Sequence, residues 1–189
     1  MKTETHLKYA KFLADKHFSN HRKISKYLFI IGCIEPDINP FSYLKGFFAH
    51  PFFGHNWVSR EKYILNKSAS AESKKLNCFK LGRLIHYVCD SFTYTHNDSF
   101  SGGVRLHTLY EKQLHALFDK NYELPSSPKT ESAHLNQILS QLHNEYYRLA
   151  PSNQNDIKFI RLAVQNVLTH GIPLARKEQK LTAYTALQK

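Results

Sequence analysis

Acidic side chains, cysteine and long apolar runs are all scarce in this chain of 189 residues. The three cysteines, Cys33, Cys78 and Cys89, are odd in number and lack CxxC spacing. A disulfide framework is therefore not expected, and a reducing compartment is. The longest apolar run, over residues 27–34, is far too short to cross a bilayer. Residues 1–6 offer no apolar core of the kind a secretory signal needs, so a cytoplasmic location is expected, with peripheral membrane contact left open. No segment alternates with a period of two, which excludes sheet architectures. Asp and Glu number 15 against 26 Lys and Arg, a formal charge of +11. Such a surplus suits an anionic or zwitterionic partner: a phospholipid head group, a phosphorylated small molecule or nucleic acid.

What is present is helical. At 42% hydrophobic the chain is globular rather than disordered. Apolar positions at helical spacing predict helices over 6–18, 20–33, 57–66, 71–94, 104–122, 131–149 and 156–169. The strongest, over 71–94, carries Leu76, Phe79, Leu81, Leu84, Ile85, Val88 and Phe92 on one broad face. Pro36 and Pro40 predict a break over 34–40. Residues 41–54 read as an aromatic-rich connector and 124–129 as a linker. The expected fold is an all-α, multi-helix bundle in one domain, 1–189. Its metal-site core covers about 1–122, a C-terminal helical portion about 130–170, and a polar tail 174–189.

The chemistry concentrates in one stretch. Gly82-x3-His86-Tyr87-x2-Asp90-x5-His96 is followed by His107-x3-Glu111. Residues i and i+4 share a helix face. His86 and Asp90 thus form one pair, and His107 and Glu111 another. Mixed imidazole and carboxylate donors are zinc chemistry suited to oxygen-rich substrates. Apolar surroundings make an unpartnered ionisable group costly there. Gly82 in mid-helix costs about 1 kcal/mol against Ala, which implies close packing or access. His96 lies ten positions after His86, about 15 Å along a straight helix. Either the helix ends near 93–95 and folds His96 back, or His96 serves a second ion with His107 and Glu111. Asp37 sits in a proline-flanked loop, His50 and His55 flank a further aromatic run, and His6 opens the first helix.

These motifs, in this order, resemble the bacterial zinc-dependent phospholipase C family, whose fold is shared by fungal and plant single-strand-specific nucleases. The central signature is carried by Leu81 to His96, the following pair by His107 and Glu111. Thr5-His6-Leu7 resembles the N-terminal histidine, Glu35-Pro36-Asp37 the Pro-Asp loop, and Gly54-His55-Asn56 the histidine between. The resemblance implies two or three zinc ions. Asp37, His55, His86 and Asp90 would hold one. His96, His107 and Glu111 would hold a second. His6, a bridging Asp90 and an N-terminal amine, here that of Met1, would hold a third. The implied activity is phosphoester hydrolysis by a metal-bound hydroxide, with Asp37 placed to orient or deprotonate the water. The implied substrate is a phosphodiester or phosphomonoester; the nuclease relatives make single-stranded nucleic acid the alternative. A non-catalytic metal-stabilised bundle is the third reading. The aromatics over 47–53 would serve either stacking or acyl-chain contact. Tyr94 stands where relatives often have proline.

Overall fold

A computed structural model describes residues 1–39, 41, 55–74, 76–120, 122–125 and 133–172. Among these, the secondary structure is helical throughout. The helices are α1 (Thr3–His17), α2 (Lys23–Ile38), α3 (Trp57–Glu72), α4 (Cys78–Ser91), α5 (Val104–Phe118), α6 (Leu135–Tyr147) and α7 (Asn153–Gly171), with a single 3₁₀ turn at Tyr94–His96. This is the expected all-α bundle.

Helix α4 is its axis. Eleven of its residues are buried, among them Leu81, Leu84, Ile85 and Val88. It packs against α2, α3 and α7. The core extends through Leu13, Phe29, Ile64, Leu114, Leu139 and Ile160, all fully buried. Burying a Leu or Ile side chain yields roughly 1.5–3 kcal/mol, so α4 is fixed by packing on several sides rather than by propensity.

The expected helix over 71–94 is two helices. α3 continues to Glu72, and Lys74 then adopts φ 55°, the left-handed region. Asn77 restarts the chain as α4, its side chain accepting the Lys80 N–H at 2.9 Å. Periodicity carries no boundary information; the Asn77 cap does. The predicted break over 34–40 is also corrected, because α2 runs through Pro36 to Ile38. Proline removes one main-chain donor, and here it does so close to the helix end. The turn still closes beyond it, with the Asn39 N–H donating to the Glu35 carbonyl at 2.9 Å.

Packing holds α2 straight enough to continue. A Cβ on Gly82 would lie 2.2 Å from the Phe29 carbonyl oxygen, and one on Gly32 would lie 2.1 Å from the Phe79 carbonyl oxygen. The two glycines thus face each other's helices, and α2 and α4 cross at backbone contact. The connector over 42–54, most of the 124–129 linker and the tail over 174–189 lie outside the described residues, as does His50.

Candidate metal centre

The close crossing of α2 and α4 sets the first group. Asp37 comes from the last turn of α2, His55 from the turn before α3, and His86 and Asp90 from successive turns of α4. One ligand atom from each lies within 4.8 Å of the others. Asp90 Oδ2 is 3.1 Å from His55 Nδ1 and 3.2 Å from His86 Nε2. Those two ring nitrogens are 3.2 Å apart, and Asp37 Oδ1 lies 3.6 and 3.7 Å from them. Zinc–nitrogen and zinc–oxygen bonds of 2.0–2.2 Å in a tetrahedron require donor–donor edges of roughly 3.3–3.6 Å. The observed spacings bracket that value, so the four residues fit one zinc ion.

The tautomer of His86 supports the same fit. Its Nδ1 lies 2.9 Å from the Cys33 carbonyl, which can only accept. Nδ1 therefore carries the proton, and Nε2 turns its lone pair toward the cluster. A main-chain carbonyl on the far nitrogen is a recurrent orienting device for metal-binding imidazoles. Tyr87 adds a wall. Its ring meets the rings of His55 and His86 edge-on, each at 5.4 Å.

His96, His107 and Glu111 form the second group, again within 4.8 Å. α4 stops at Ser91, and the 3₁₀ turn swings His96 back toward α5. His96 Nε2 is then 3.0 Å from Glu111 Oε1, while His107 Nδ1 is 3.9 Å from Glu111 Oε2. Of the two alternatives, the helix ends earlier than expected, at Ser91, and His96 lies beside the α5 pair. Three such donors would leave a bound zinc one coordination position for a further ligand.

Asp90 joins the two groups to α1. Its Oδ1 is 3.0 Å from His6 Nε2 and 2.8 Å from the Met1 amine. That amine also lies 2.9 Å from Glu111 Oε1 and 2.7 Å from His96 Nε2. The His6 ring stacks on His86 at 4.0 Å. The eight residues carried by the family resemblance thus fall into two adjoining groups plus His6, with Asp90 between them.

The electrostatics follow from burial and charge. Burial works against an ionised Asp90, yet the Met1 ammonium, His96 and His86 outweigh it and hold the carboxyl well below its usual range. Burial, and then the neighbouring His86, pushes His6 down to about 4. Burial likewise lowers His55. Burial opposes the Met1 ammonium too, but Asp90 and Glu111 raise it to about 11. Burial works against a charged His86 as well, but Asp90 and Asp37 raise it, so a metal bound there would have to displace a proton from that ring.

One brace escaped the sequence reading. Asp156, fully buried on α7, accepts the Tyr94 N–H at 3.0 Å, the Tyr110 hydroxyl at 3.0 Å and the Tyr146 hydroxyl at 2.7 Å. Tyr94 begins the turn that carries His96, and Tyr110 precedes Glu111. Nothing in local sequence marks Asp156, because two of its three partners lie 62 and 46 residues away. Asn56 ties the other side: its side chain caps α3 and donates to Asp98 at 3.0 Å.

Burial pushes the Asp156 carboxyl up to about 6, against the pull of its three donors. The folded state then holds this proton over a range in which the unfolded chain has lost it. This contribution to stability is present at low pH and is lost as pH rises from about 4 to 6. It amounts to about 3 kcal/mol. Asp156→Asn keeps one acceptor oxygen, sacrifices the other and cannot titrate. Thermal melts from pH 4 to 7 should show a falling component in the parent that the variant lacks; parallel curves would refute it.

Fold and site together define an all-helical protein with two adjoining histidine–carboxylate groups that could hold metal ions. A family model described as zinc-dependent phospholipase C matches residues 5–153, and the chain belongs to that family. No curated protein and no solved structure matches it. The family description supports zinc as the cofactor, the two candidate donor groups are of a kind that could hold it, and the family implies a phosphoester or lipid substrate. No described helix is long and apolar enough to cross a membrane.

Proposed function

We propose that the chain is a phospholipase C-like hydrolase that cleaves the phosphoester bond of a phospholipid-type substrate. Asp37, His55, His86 and Asp90 would hold one zinc, and His96, His107 and Glu111 a second. His6, Asp90 and the Met1 amine would hold a third. The observation that carries the reading is the donor spacing around Asp90, which suits tetrahedral zinc on its Oδ2 side while Oδ1 stays committed to His6 and Met1. Bound zinc supplies Lewis acidity, which activates water near pH 7 and stabilises charge developing on phosphate oxygens.

The chain's own residues do the rest. The Cys33 carbonyl keeps the proton on His86 Nδ1. Asp37 faces both imidazoles through Oδ1 and is the carboxylate placed to take a proton from the attacking water. Glu111 and His107 border the more open side, where His107 is only half buried. Cys33, Cys78 and Cys89 are buried and unbridged, which suits a reducing compartment such as the cytoplasm.

The test is direct. Purified protein should carry zinc and should hydrolyse a chromogenic phosphocholine ester in preference to single-stranded DNA. Chelation should stop turnover and lower the melting temperature, because a ligand bound only to the native state stabilises it. A zinc-free protein with an unchanged melt would refute the metal reading. Enzymatic acetylation of the Met1 amine should lower the zinc count by one relative to the free-amine protein. An unaltered count and rate would remove the amine from the site.

A further inference from the structure

Helix α2 is apolar on two opposite faces. Phe29, Gly32, Cys33 and Pro36 are buried. On the reverse side Ile24, Tyr27, Leu28, Ile31 and Ile38, with Phe41 just beyond the helix end, are between 39% and 73% exposed. Steps of three, four and seven residues align them in one stripe. A contiguous exposed apolar patch marks an interaction surface.

From this stripe we infer that the outer face of α2 docks onto the surface of a phospholipid bilayer bearing anionic lipid. The inference rests on the proposed phospholipase activity for its substrate class. Three observations select lipid over a second helix. First, the stripe spans residues 24–41, shorter than the three to four heptads that mark a coiled coil. Second, Arg22 and Lys23 stand exposed at its start, and the chain carries a formal +11, which an anionic surface attracts. Third, the stripe leads to the metal centre, since Ile38 follows Asp37 directly. α2 has 16 residues and is not a membrane span, so it would lie in the interface with its apolar face roughly 5–10 Å deep. That depth is where lipid phosphoester groups reside.

The experiment uses the zinc-loaded full chain and the triple variant Ile24→Ser/Tyr27→Ser/Ile31→Ser. All three positions are exposed and lie outside the proposed site. Binding to phosphatidylcholine/phosphatidylserine vesicles is measured by co-sedimentation, and turnover of a monomeric chromogenic phosphoester is followed in parallel. The variant's vesicle Kd should rise roughly 30-fold or more, given three half-exposed apolar groups withdrawn from lipid. Its turnover of the monomeric ester should stay unchanged. Equal vesicle binding by both proteins overturns the inference, as does absence of binding by the parent. A parent dimer in analytical ultracentrifugation that the variant dissolves would instead assign the face to a second copy. Vesicle binding without turnover of any phosphoester would sink the hydrolase reading and leave the docking surface standing.

Discussion

Asp90→Asn is expected to abolish turnover, with a loss of roughly a thousandfold or more, and to strip zinc from the protein. Removing a partner that merely orients a ligand costs about 10–100-fold in metal affinity or activity. Asp90 is placed more centrally than that. One oxygen faces His55 and His86 at 3.1 and 3.2 Å, and the other faces His6 and the Met1 amine at 3.0 and 2.8 Å. Asparagine keeps the volume but offers one oxygen and one NH2 group. Whichever way it turns, one set of neighbours meets a donor where it had an anionic acceptor. Zinc content by plasma emission and kcat/KM on a chromogenic ester check the result. Near-normal zinc and a rate within a few-fold of the parent would show that Asp90 is not the shared ligand.

Gly82→Ala should cost about 2 kcal/mol of stability or more, although alanine is the better helix former. The gain in helix propensity is about 1 kcal/mol, while overpacking costs typically 1–3 kcal/mol and sometimes more. The higher end applies here because the clash is with main chain. The new methyl would sit 2.2 Å from the Phe29 carbonyl oxygen, 2.9 Å from the Cys33 nitrogen and 3.0 Å from the Gly32 carbonyl carbon, none of which belongs to a side chain that could turn away. α2 has to shift. Because Cys33 orients His86 and Asp37 enters from the same helix, zinc affinity should fall alongside stability. Gly103→Ala is the control, since a Cβ there meets nothing within 4 Å. Denaturant melts and zinc titration compare the two. Equal stability of the two variants would show that the crossing tolerates expansion.

The sequence spoke clearly where chemistry and periodicity coincide. His86, Asp90, His107 and Glu111 were legible because i,i+4 donors stand out inside apolar helices, and His96 because it lies too far along to share their first ion. Asp37, His55 and His6 were legible through family order and not through spacing. What stayed hidden depends on tertiary contact. Pro36 reads as a breaker, yet packing carries α2 past it. The break at Lys74 has no glycine or proline within residues 66–78 to mark it. Gly32 means nothing until Gly82 is placed against its helix. Asp156 lies beyond the part of the chain that matches the family model, and its three tyrosine partners are 62, 46 and 10 residues away.

The Cys33 carbonyl that holds His86 has a further consequence. Every amino acid presents the same carbonyl, so no exchange of side chain at position 33 deletes this contact. Mutation and drift there are constrained only by how well the new side chain fills its buried space. An orienting group of this kind is robust to inheritance yet invisible to any comparison of residues. A designer who transplants the site would therefore have to copy the distance between two helices, because copying residue identities alone would leave the histidine free to turn.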